Sequence, residues 1–164
     1  MAGRERRLTK GEIELLREVF GNRISYEKVR VREGAGGNAL AKIALRKPGN
    51  WAMTYLDTLH FNTGRFSEDF SAPGGDGALL VHEATHVWQY SKLGLLPFAL
   101  RYGWNFVACR FDQGAMYEYD STTDFRTAAL EAQARMVEHS WAWRGRPEGA
   151  ALKARLAGTG LWPG

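Results

Sequence analysis

The run His82-Glu83-Ala84-Thr85-His86 sets two imidazoles four positions apart, with a carboxylate directly after the first. On an α-helix, positions i and i+4 share a face one turn apart, so both rings can reach a single ion. That bite suits Zn²⁺, which takes imidazole nitrogens at about 2.0–2.1 Å. Glu83 falls about 100° further round the helix, too far to join the ligands and near enough to take a proton from a water beside the ion. One helical turn therefore supplies two ligands and a general base. The competing reading is a helix with two ordinary core histidines. With only four histidines in the chain, a chance match is on the order of one in a hundred.

A catalytic zinc takes three protein ligands and keeps one open position. No histidine follows His86 at short spacing, and His139 lies far downstream. The best carboxylate is Glu131, flanked by Ala128, Ala129, Ala132 and Ala134. Small flanks let one helix approach another closely, as a ligand reaching across to a neighbouring helix requires. The alternative pairs Glu131 with Arg135 one turn on, as an exposed ion pair. Asp120, Asp124, Glu138 and His139 stand in reserve.

The elements that must position these groups are legible in part. Thr9 caps a helix Lys10–Phe20, with Glu12 at capping-box spacing, Ile13, Leu16 and Phe20 on one face, and Gly21-Asn22 at its end. Val29 and Val31 alternate with basic residues in a half-buried strand over Tyr26–Arg32, and Gly34–Gly37 forms a turn. The aromatic, β-branched run Trp51–Asn62 gives one or two further strands, of which Leu56–Asn62 is expected along the cleft. Asp76 caps the motif helix Ala78–Lys92 and Gly94 closes it. Leu95–Phe111 reads as helical, weakened by Pro97 and Gly103, and Gly114–Thr123 as a polar connector. A long helix is expected over Asp124–Trp143, capped by Thr123 or Asp124, with Glu131 near its middle. Pro147 opens a last short helix, Glu148–Leu156. The reading is one α+β domain over residues 1–164, with a core at about 9–157 and a loose tail at 158–164.

Composition bounds the rest. With 45% apolar and 24% charged residues in 164, the chain has the balance of a globular domain. No apolar run approaches the ~20 residues of a membrane span, and no apolar segment behind Met1–Arg7 suggests a Sec signal. The lone Cys109 excludes an intrachain disulfide and a cysteine-built zinc site, and reads as an inert thiol. The net charge of +4 could suit nucleic acid, but the arginines are scattered and no nucleic-acid motif is present, so no such partner is expected.

The string Leu80–Tyr90 resembles the motif helix of zincin-like metallopeptidase domains associated with bacterial Vgr and Rhs elements, which travel with type VI secretion and related contractile injection machines. Tyr117-Glu118-Tyr119-Asp120, followed by Glu131-Ala132-Gln133-Ala134, resembles that family's second block, in which a glutamate completes the zinc site. The family usually has Leu where this chain has Ala84. The resemblance implies a zincin-like fold, one Zn²⁺ per chain on His82, His86 and Glu131 (a gluzincin-like set), and catalysis by Glu83. It also implies an antibacterial effector peptidase, made in the cytoplasm and delivered to a rival's periplasm, with a peptide substrate, a secretion-machine carrier and a cognate immunity protein as partners. Tyr119, slightly ahead of Tyr117, is the candidate donor to the oxyanion. His60 and the tryptophans read as structural, although Trp88 and Trp104 are placed to line a cleft. The alternative function is a zinc-bound structural or interaction module of an injection machine, without turnover.

Overall fold

The computed structural model describes residues 3–163. Its first helix, α1 (Lys10–Phe20), starts where the residues specify: Thr9 Oγ1 accepts from Glu12 N at 3.1 Å and Glu12 Oε2 accepts from Thr9 N at 2.8 Å. Glu12 is completely buried, and its carboxylate also takes Phe70 N and a bidentate pair of 2.8 Å bonds from Arg6. The helix cap thus doubles as an anchor for the N-terminal strand.

That strand, β1 (Glu5–Arg7), edges a four-stranded sheet with β2 (Arg30–Glu33), β3 (Ala52–Tyr55) and β4 (Thr58–Phe61) in the order β1-β2-β4-β3. β2 runs parallel to β4, and the two outer pairings are antiparallel. Val29 and Val31 are buried as the alternation requires. The strand itself begins only at Arg30, because Lys28 N turns back to Ser25 O and Tyr26 Oη donates to Gly21 O. β3 and β4 form a two-residue hairpin, with Leu56 in the left-handed region at φ 53°. α2 (Ala39–Leu45), capped by Asn38, fills a stretch to which the sequence reading assigned no element.

α3 (Gly77–Leu93) runs through the middle of the molecule. Asp76 Oδ1 accepts from Leu79 N, and Gly94 N returns to Tyr90 O. Every residue from Leu80 to Gln89 is buried. Gly77 allows the close packing at its start, since a Cβ there would lie 2.7 Å from the Trp141 ring. Leu16, Phe20, Leu59, Phe61, Leu80 and Val137 join α1, the sheet, α3 and α5 in one core.

α4 (Leu95–Ala108), α5 (Leu130–Ala142) and α6 (Pro147–Arg155) complete the helical half. α5 begins at Leu130, not near Asp124. Asp124 Oδ1 accepts from Arg126 N, and Gln133 Nε2 donates to Phe125 O, so side chains take up the backbone groups an earlier helical turn would use. Glu131 therefore lies in the first turn of α5. The segment after α6, expected to be loose, packs instead: Leu161 is buried, Trp162 N donates to Val19 O, and its indole donates to Ser140 Oγ. Among the described residues, four strands and six α-helices form a small α+β fold, and no helix is long and apolar enough to cross a membrane.

Candidate metal centre

α3 and the start of α5 pack against each other, and the contact brings His82, His86 and Glu131 into one buried cluster. A ligand atom from each lies within 4.8 Å of the others. Glu131 Oε2 is 3.3 Å from His82 Nε2 and 3.2 Å from His86 Nε2.

The surrounding hydrogen bonds decide where the protons sit. His82 Nδ1 is 2.9 Å from the Glu138 carboxylate, which can only accept when ionised, so Nδ1 carries a hydrogen and in the neutral ring Nε2 is bare. Gln89 gives its amide hydrogens to Leu130 O and Gln133 Oε1, leaving its carbonyl oxygen to accept from His86 Nδ1 at 2.8 Å. His86 Nε2 is bare as well. With both rings neutral, two nitrogen lone pairs and a carboxylate oxygen converge with no hydrogen between them. Such a donor set fits a cation, with the outer partners fixing each ring's tautomer. Protons are the other way to fill the gap. Burial opposes charging the rings, but Glu131 outweighs it and raises both histidines, with Glu138 adding to the effect at His82. Burial would raise Glu131, yet the two imidazoles hold its carboxyl far below the usual carboxylate range.

Glu83 stands beside the ligands. Its Oε2 accepts from Thr54 Oγ1 at 2.7 Å, and the same hydroxyl lies 3.1 Å from the Glu83 carbonyl. β3 therefore fixes the carboxylate. Burial raises its pKa above the ordinary value, which makes it a better proton acceptor than a solvated glutamate.

The cluster opens into a cleft of about 400 Å³ between α2, β3 and α4, with Glu83, His86 and Glu131 in its lining. Tyr102 and Tyr117 lie in the same lining. Burial, and then the charge of Glu131, keep both phenols protonated far above their usual range. The Tyr117 ring stacks on His82 at 5.9 Å. Tyr119 is elsewhere, its hydroxyl 2.5 Å from His139 Nδ1 in a separate groove. Tyr117 ends the 3₁₀ turn Gly114–Tyr117 and reaches the cleft, while the extended backbone at Glu118 leads Tyr119 to the other groove.

Of the reserve residues, Glu138 supports His82 rather than joining the cluster. Asp120 caps Thr122 and Thr123, Asp124 caps Arg126, and His139 holds Tyr119. No Glu131–Arg135 ion pair forms among the described residues, because Glu131 faces α3. The strand at the cleft is β3; β4 lies inside the sheet. His60 is buried with Nδ1 on Gly34 O at 3.0 Å. Trp88 packs on Phe125, and Trp104 points outward, 70% exposed; neither lines this cleft. Gln89 and Tyr102 were not among the sequence candidates. The spacing of Gln89, three residues after His86 on one helix face, is the signal that finds it.

Fold and site together define a small α+β domain built round a buried His₂–Glu cluster. The chain belongs to the eCIS core domain family, whose model matches residues 8–94, from the end of β1 through α3. Its fold is similar to that of the effector domain of Pseudomonas aeruginosa VgrG2b, with a TM-score of 0.66 over 93% of this chain and 82% of that one, at 24% identity. No curated protein matches the sequence.

Proposed function

We propose that the protein is a zinc-dependent peptidase of zincin-like type, acting as an effector of a bacterial injection machine. The observation that carries the chemistry is the convergence of the two imidazole Nε2 atoms on Glu131, with each Nδ1 held by Glu138 or Gln89 and Glu83 held beside them by Thr54. His82, His86 and Glu131 would hold Zn²⁺, a set of two nitrogens and one oxygen that suits this ion. When bound there, zinc supplies Lewis-acid chemistry, acidifying water and polarising a carbonyl.

The remaining work belongs to the chain. Glu83 takes the proton of the attacking water and passes it to the departing amine. Tyr117, kept protonated, donates to the oxygen on which negative charge develops; the role assigned to Tyr119 from sequence passes to its neighbour. Trp51 O accepts from Asn62 N, so pairing with β4 falls on residues 51, 53 and 55. The N–H and C=O groups of Ala52 and Thr54 then point away from β4, where an extended substrate can add as a strand.

The family match and the likeness to an effector domain support the delivery reading. On that reading the target lies in a rival's periplasm, a spike protein carries the domain, and an immunity protein guards the producer. Glu83→Gln tests the chemistry. Peptide hydrolysis should fall by on the order of 10³-fold while zinc content stays near one per chain. Retained turnover in that variant would remove Glu83 as the base. Zinc bound by wild type with no turnover would favour the structural module.

A further inference from the structure

We infer that the cleft beside the metal cluster is a binding site for an uncharged, extended peptide segment carrying bulky apolar side chains on both sides of the bond to be cut. The inference rests on the peptidase reading and names its substrate class.

The two walls of the cleft come from different elements and share one chemistry. α2 contributes Leu40 and Ile43, and α4 contributes Leu95 and Phe98. Leu40, Ile43 and Leu95 are 55%, 61% and 46% exposed, large side chains left in water at the mouth of a concave site. Apolar surface in that position gains free energy only when an apolar occupant covers it. The α4 wall is stiffened by aromatic packing, with Phe98 stacked on Tyr90 at 3.9 Å and on Tyr102 at 6.1 Å.

Charge narrows the occupant further. Beyond Glu83, His86 and Glu131, the one acidic or basic side chain in the lining is Lys47, at an exposed position. An acidic or basic side chain lodged among Leu40, Ile43, Leu95 and Phe98 would lose its hydration with no counter-charge among them to replace it. Stem peptides rich in carboxylates and amines are poorly served by such walls; a hydrophobic protein segment is well served. The open edge of β3 fixes the direction, because a strand paired with Ala52 and Thr54 projects alternate side chains toward the two walls.

The test uses full-length, zinc-loaded Glu83→Gln protein titrated with blocked hexapeptides that differ at the two central positions: Leu-Phe, Ser-Ser, Asp-Asp or Lys-Lys. The Leu-Phe peptide should bind at least about tenfold more tightly than the others. Ile43→Asp, at an exposed position that leaves the core untouched, should erase about a tenfold share of that preference with zinc content unchanged. Equal binding of the four peptides, no binding of any, or tightest binding of a charged one overturns the inference. So does a dimer in sedimentation velocity that buries Ile43 against a second copy. Wild-type hydrolysis of the same set separates the two readings. Cleavage without apolar preference keeps the peptidase and overturns this site. Apolar-selective binding without cleavage keeps this site and overturns the peptidase.

Discussion

At the residue scale, the candidate metal site depends on groups one hydrogen bond removed from its ligands. Glu138 Oε2 receives the His82 Nδ1 hydrogen at 2.9 Å, and its removal frees that ring to rotate or change tautomer. Glu138→Ala should weaken zinc binding about 10–100-fold in competition with a chromophoric chelator, with Glu138→Gln recovering part of the loss through its carbonyl oxygen. The tyrosines give a second contrast. Tyr117→Phe should lower kcat on the order of 100-fold with little change in KM, whereas Tyr119→Phe, whose hydroxyl serves His139, should leave kcat unaltered. The sequence disclosed the motif because helical spacing is local information: His82, Glu83 and His86 need only one turn of α3. Glu131 stood out through its alanine flanks and a family likeness. Which of Tyr117 and Tyr119 turns inward depends on a 3₁₀ turn at Gly114–Tyr117 and on α5 beneath it, and no pattern along the chain records that.

At the scale of elements, boundaries follow capping chemistry. α1, α3 and α6 begin where Thr9, Asp76 and Pro147 say, since those residues satisfy or lack the orphan N–H groups of a first turn. α5 departs from expectation because its Gln133 side chain reaches back to Phe125 O. α2 is seven residues long and too short for a periodic stripe, and the Asn38 cap is its one local mark. The β3–β4 hairpin carries a visible cost: Leu56 takes a left-handed backbone that a branched side chain resists. Leu56→Gly should raise stability by up to about 1 kcal/mol, read as a shift in the urea midpoint at unchanged slope. A lower midpoint would show that the Leu56 side chain contributes more than the turn loses.

At the scale of the whole molecule, His60 should contribute stability that rises with pH on the acid side of neutrality. His60 is buried in β4, and burial draws its pKa below the ordinary 6.5 although its bond to Gly34 O opposes that. The folded chain therefore binds a proton less readily than the unfolded one, and stability rises with pH in that window. This contribution is complete above the unfolded pKa near 6.5 and is lost as pH falls toward the folded value. On going from pH ~7.5 to ~5.5, the urea midpoint of wild type should fall relative to that of His60→Gln. An unchanged difference between the two proteins across that range would remove His60 as the titrating group.

The enclosure of α3 from Leu80 to Gln89 reaches beyond stability. Buried along these ten residues, the helix has little room to roll or slide, and Glu131 is held by the adjoining start of α5. A metal held by such a frame would be chosen by its radius and donor number: two nitrogens and one carboxylate suit a small ion that accepts few close donors, and fall short of the six to eight oxygens at about 2.3–2.6 Å that calcium asks for.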